Sequence, residues 1–324
     1  MRGGPIRLIT YLAPSVPMGL FEAVARWFSR ETGLATTVAS ESRYSGPPRG
    51  RPDPFSTGEA DLAFVCSPAY LWLRELAPPP VELVPFAFAP LDPRAGGRPV
   101  YFSDVIVRRG DGARAFDDLH GRTWAYNDTC SMSGYYSLLE KLAEREQGGR
   151  FFGRIVEAGS HLRSLALVAA GEADAAAIDS NVLALALARD PALAAAVRVV
   201  ESWGPFPIQP ILARASLDPA IRRAIVAALA ALGGDAGVRA ELATYGVAGL
   251  PPVDESIYLA EGRALAACDA LLLPTADAAP APARRAAPGR AGPAGPADPG
   301  ATPAVMSATR SYAATLSVDG WKSS

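Results

Sequence analysis

From residue 6 to residue 214, short β-rich runs alternate with amphipathic helical stretches, and this alternation narrows the available folds more than any other feature. The first unit has expected strands at 6–12, 36–40, 61–65 and 81–87. Between them lie a helix at 18–32, with Leu20, Val24, Trp27 and Phe28 on one face, and a helix at 67–76. Gly33 is a natural stop for the first helix, and Ser67-Pro68 a natural start for the second. The Gly/Pro/Arg-rich stretch 41–54 reads as an exposed loop. A second unit continues the pattern, with strands at 100–108, 123–126, 154–157, 175–178 and 197–202. Its helices are expected at 133–146, 161–170 and 180–189. A strand at 208–214 and three helical stretches at 219–232, 235–245 and 254–273 follow. Such an order builds an α/β protein with a largely parallel sheet.

The pattern stops at Pro274. From there to Ala304, 24 of 31 residues are Ala, Pro or Gly, so too little large apolar surface exists to offset the entropy of ordering. A folded body of about 273 residues with a disordered tail at 274–324 is the expectation. A formal net charge of −2 lacks the basic footprint of a nucleic-acid binder. Three cysteines (Cys66, Cys130, Cys268) form no disulfide framework or zinc spacing, and two histidines (His120, His161) make a metal cluster improbable. No metal or cofactor is expected. The first residues enter a strand without a signal-peptide core, and no run of 18 apolar residues exists. The chain as written is therefore expected to be cytoplasmic, without a membrane span.

One helix start has unusual chemistry. The helix near 133–146 is preceded by Thr129-Cys130-Ser131-Met132-Ser133-Gly134, and its first acid is Glu140. A helix start presents free N–H groups and partial positive charge. Here hydroxyls surround it and its first turn lacks an acid, which suits an oxyanion. An ordinary serine N-cap fits the same residues.

Five segments in fixed order then resemble one family: GEADLAFVCSPAYL (58–71), YFSDVIVRR (101–109), FDDLHGRTWAYNDTCSMSGYYSLLEKL (116–142), AGSHLRSLALVAAGEADAAAIDS (158–180) and ESWGPFPIQPILAR (201–214). Together they resemble the phosphonate/phosphate/phosphite substrate-binding proteins of ABC transporters, over about residues 6–273. The resemblance implies the type 2 periplasmic-binding-protein fold, two α/β lobes joined by two hinge crossings. Residues 1–100 and 207–273 would form one lobe and 101–206 the other. It implies a small oxyanion in the cleft and an ABC permease as a possible partner. Such proteins are usually periplasmic or lipid-anchored.

The resemblance also suggests site residues. Ser131, Ser133 and Gly134 match the family's Ser-x-Ser-Gly run, with Met132 replacing a common threonine but keeping its N–H. His161 matches a histidine that reaches the phosphonate oxygens; outside the family context it is a surface or capping residue. Asp179 would face a ligand ammonium, or simply cap the helix from Ser180. Tyr101 matches an aromatic wall and Ser67 a polar helix start. Tyr11 either lines the cleft or packs, and His120 reads as a surface-loop residue.

Two other functions stay open. Cytoplasmic enzymes of cofactor biosynthesis resemble this fold, and Cys130 near a helix start would be a nucleophile if its pKa were depressed; it is otherwise a small residue in a tight loop. A ligand sensor that uses the tail is the third reading.

Overall fold

Buried Ile6, Leu8 and Thr10 alternate with half-covered Arg7 and Ile9, which makes β1 (Ile6–Thr10) an interior strand. It pairs in parallel with β2 (Thr36–Ser40) and β3 (Leu62–Phe64). The computed structural model describes residues 4–145 and 151–268. Between β1 and β2, helix α1 (Met18–Thr32) turns Leu20, Phe21, Val24, Trp27 and Phe28 into the core. Gly33 ends it at φ 68°, a conformation that glycine adopts without strain. Helix α2 (Ser67–Arg74) and strands β4 (Val81–Leu83) and β5 (Ala89–Pro90) complete this stretch.

The chain then enters a second sheet through β6 (Val100–Arg108), followed by β7 (Thr123–Tyr126), helix α3 (Ser137–Glu144) and β8 (Arg154–Glu157). Helix α4 (His161–Ala170), β9 (Ala175–Asp179), α5 (Ser180–Arg189) and α6 (Pro191–Ala196) lead to the long β10 (Val197–Pro207). The return supplies β11 (Ile211–Arg214), α7 (Pro219–Leu232), α8 (Ala236–Ala243), β12 (Val247–Gly249) and α9 (Ser256–Cys268). Trp27 Nε1 donates to the Ala228 carbonyl of α7 at 2.6 Å, tying the first helix to the returning chain.

Two five-stranded sheets result, in the orders β2-β1-β3-β11-β4 and β10-β6-β9-β7-β8. The protein is a two-lobed α/β fold, and β6 and β10 are the strands by which the chain enters and leaves the second sheet. These run antiparallel from Val197 opposite Arg108 to Pro207 opposite Val100, with irregularities at Val199/Glu201 and Trp203/Phe206. Gly204 sits in the second irregularity at φ 114°, where a Cβ would stand 3.0 Å from the Phe206 nitrogen and 3.2 Å from the Tyr101 carbonyl. Below the second sheet, Phe116 stacks on Phe151 at 4.8 Å and meets Trp203 edge-on at 5.2 Å.

Several expectations need correction. The sheets are mixed rather than largely parallel, because β11 opposes β3 and β4 while β6 opposes β9 and β10. A strand that crosses between lobes enters its new sheet from the far end and so runs against its neighbours. Cys66, not Ser67, occupies the cap position of α2. The 41–54 loop is partly buried: Gly46 lies against Ala69, and the Pro47 carbonyl accepts from Trp72 Nε1 at 3.0 Å. The expected tail at 274–324 and the end of the 254–273 helix lie outside the described residues. Among the described residues no helix is long and apolar enough to cross a membrane.

Candidate functional site

The helix start singled out in the sequence opens with a wide π-helical turn, Met132–Tyr136, before α3 proper begins at Ser137. Tyr136 N–H donates to the Ser131 carbonyl at 3.1 Å, five residues back. The Ser133 carbonyl accepts from two hydroxyls, Ser103 at 2.7 Å and Ser137 at 2.6 Å. Such turns inside helices often mark functional positions. Ser131 Oγ accepts from Gly134 N–H at 3.1 Å, so the serine cap is real. Its hydroxyl hydrogen is not used by that bond.

Ser133 Oγ stands 3.1 Å from His161 Nε2, which brings the two segments together although 28 residues separate them. His161 is the first residue of α4, whose cap Ser160 accepts from Arg163 N–H. Burial lowers its pKa to about 4, so the imidazole is neutral here. Gly134 is required by close approach: a Cβ would fall 1.7 Å from Asn127 Oδ1 and 3.2 Å from His161 Cε1.

Asp179, at the end of β9, is buried. Its Oδ1 accepts from Asn181 and Val182 N–H at 2.8 and 3.3 Å, and its Oδ2 from Gln209 Nε2 at 2.7 Å. Burial still raises its pKa to about 6. A second buried acid, Asp128, follows β7 and was not anticipated from the sequence. Its Oδ1 accepts from Ser45 and Cys130 N–H at 3.0 and 2.8 Å; its Oδ2 accepts from Ser45 Oγ and Asn127 Nδ2 at 2.7 and 3.0 Å. Burial raises this group to about 6 as well. The position of Asn127-Asp128 just past a parallel strand, where α/β sheets place ligands, was the available signal.

These groups line a cavity of about 30 Å³, with room for roughly two or three water-sized groups. Tyr11, Ser131, Ser133, His161 and Asp179 line it, together with Asn127, Asp128, Ser42, Tyr44, Ser45 and Gln209, which sequence reasoning missed. Among the described residues no lysine or arginine lines it. Its mouth widens past Tyr44 and Ser160 into an open cleft of about 590 Å³.

Four anticipated residues do not line the cavity. Met132 is buried behind it, its N–H donating to Cys66 Sγ at 3.2 Å, and Gly134 stands beside Asn127. Ser67 is buried one residue past Cys66, which does line the cavity. Tyr101 is fully buried against Phe206, and its hydroxyl, near Ser133, makes no hydrogen bond of normal geometry. Cys130 is buried and burial pushes its pKa up, opposite to the depression a nucleophile needs and in keeping with a small residue in a tight loop. His120 is exposed, its ring edge-on to Phe151.

Comparison with known proteins identifies the fold and the family. The fold matches the binding protein component of an ABC phosphonate transporter from Pseudomonas aeruginosa (17% identity, 82% of this chain and 87% of that one, TM-score 0.71). It also matches PhnD1 from Prochlorococcus marinus in complex with methylphosphonate (14% identity, 80% and 96%, TM-score 0.68). A third match is the alkanesulfonate-binding protein SsuA from Xanthomonas axonopodis pv. citri bound to MOPS (18% identity, 84% and 96%, TM-score 0.57). The sequence model of the phosphonate ABC transporter periplasmic substrate-binding proteins matches residues 9–258, most of the chain, and the protein therefore belongs to that family.

Proposed function

We propose that the protein captures a phosphonate head group in the 30 Å³ cavity and hands it, chemically unchanged, to an ABC permease. The observation that carries this reading is the Ser133–His161 contact at a hydroxyl-rich, acid-free helix start. Ser131, Ser133 and Tyr11 offer hydroxyl hydrogens, and the His161 Nε2 tautomer that carries a proton donates a further bond. An oxyanion held there would raise the His161 pKa from its depressed value. Met132, Gly134, Ser67 and Tyr101 act behind this first layer by shaping the turn and the hinge.

Four or five charge-assisted hydrogen bonds contribute about 6–15 kcal/mol gross, before several kcal/mol of association and ordering losses. Micromolar or tighter capture follows without a metal. The described residues of 1–100 and 207–273 form one ligand-gripping lobe and those of 101–206 the other, a division supported by their separate sheets. A buried, protonated Cys130 outside the cavity lining favours capture over covalent catalysis.

Thermal-shift and calorimetric titration with methylphosphonate, phosphite and phosphate test the reading. At least one should raise the melting temperature of the wild type, and Ser131→Ala/Ser133→Ala should lose most of that shift. If none of the three stabilises the protein, the reading fails.

A further inference from the structure

We infer that the cleft has a second compartment, which takes the short apolar substituent of an alkylphosphonate; this rests on the head-group reading above. The head-group cavity shares three walls, Leu12, Val16 and Gln209, with a neighbouring cavity of about 40 Å³. Past those walls the chemistry changes. Phe64 and Phe88, stacked at 5.5 Å, contribute from the β1–β3 side and Leu185 from α5. The compartment, like the head-group cavity, therefore lies between elements of the two sheets. Asn181, Gln209 and Tyr245 also border it, but most of its lining is hydrocarbon. Such space forfeits dispersion contacts when empty and holds water poorly, so an alkyl group is its natural occupant.

Asp179 marks the partition between the compartments, and its engagement decides the charge of the substituent. Three donors, Gln209 Nε2 and the Asn181 and Val182 N–H groups, already face its carboxylate. Among the described residues no acid lines the apolar compartment. A substituent that leaves the head group past Leu12 and Val16 meets hydrocarbon rather than a free carboxylate. At 10–15 Å³ per water-sized group, the space holds roughly three carbons.

Calorimetry on the full chain with methyl-, ethyl-, propyl-, hexyl- and 2-aminoethylphosphonate tests this. Affinity should rise about fourfold per methylene from methyl to propyl, then fall at hexyl. Propylphosphonate should bind more tightly than 2-aminoethylphosphonate, which is similar in length. Leu185→Phe should bring the propyl-to-methyl affinity ratio towards one, with circular dichroism confirming the fold; Val247→Leu gives the same reading if that variant does not fold. A flat series, or tighter 2-aminoethylphosphonate, with methylphosphonate still bound overturns the apolar compartment alone. Failure of every phosphonate to bind overturns the head-group reading and this inference with it.

Discussion

Asp128 grips Ser45 twice across the cleft, taking its backbone N–H at 3.0 Å and its hydroxyl at 2.7 Å although 83 residues separate them. Ser45 belongs to the loop between β2 and β3 of the first sheet, and Asp128 follows β7 of the second. The contact fastens the loop that carries Tyr44 and Ser42 over the cavity. All four accepted bonds come from the protein, so this carboxylate positions the loop rather than the ligand.

Asp128→Ala should therefore leave the Ser45 and Cys130 N–H groups unpaired and destabilise the protein by about 2–6 kcal/mol in urea unfolding, at roughly 1–3 kcal/mol for each of the two. It should also speed release of bound methylphosphonate in stopped-flow measurements. Asp128→Asn keeps an acceptor for the Ser45 and Cys130 N–H groups and should fall between the two. Unchanged stability and release rate in Asp128→Ala would show that the latch does not hold the loop.

Gly134 offers a steric test of the site. An added Cβ would collide with Asn127 Oδ1, and the Asn127 side chain is held by bonds from its Nδ2 to Ser45 Oγ and Asp128 Oδ2. Gly134→Ala should expel Asn127 from this network and lower the melting temperature by several degrees, about 2 kcal/mol for a mid-sized domain. Adding Asn127→Gly to Gly134→Ala should recover part of the loss, since the clashing side chain is then absent. A double mutant no better than Gly134→Ala would locate the strain elsewhere.

The three thiols give a rapid check on the capture reading. Cys66, Cys130 and Cys268 are all buried, and burial raises the pKa of Cys66 and Cys130. Iodoacetamide at pH 8 should label none of them quickly in the native protein and all three in urea, read by mass spectrometry. Fast, selective labelling of native Cys130 would revive a nucleophilic role.

Much of this architecture was legible because its signals are local. Residues 18–32, 123–126, 161–170 and 219–232 match α1, β7, α4 and α7 at both ends, since periodicity and stop signals such as Gly33 act within a few residues. Strand direction was not legible, because β6, β10 and β11 take theirs from the return between lobes. Two- and three-residue strands such as β5 and β12 are too short to carry a pattern. Ser131, Ser133 and His161, which stand out by their motifs, line one cavity. Asp128 and Ser45 escaped notice because their partnership exists only once the lobes meet.

Glu261 of α9 is buried with neither carboxylate oxygen in a well-formed hydrogen bond; the Ser67 hydroxyl lies beside it, the Glu140 carboxylate adds repulsion, and Tyr101, Tyr258 and Cys66 lie in its field. Burial raises its pKa to about 8, so the folded protein keeps a proton that the unfolded chain releases near 4.5. Stability from this group is complete below about pH 4.5 and declines as pH rises towards 8, by up to about 1.4 kcal/mol per pH unit. Asp128 and Asp179 are raised only to about 6, so Glu261 dominates among these acids between pH 6.5 and 8. Glu261→Gln is uncharged at every pH and nearly the same shape. Its melting temperature relative to wild type should climb steadily from pH 6 to pH 8 in calorimetry, and a difference independent of pH would mean that Glu261 ionises freely in the folded protein.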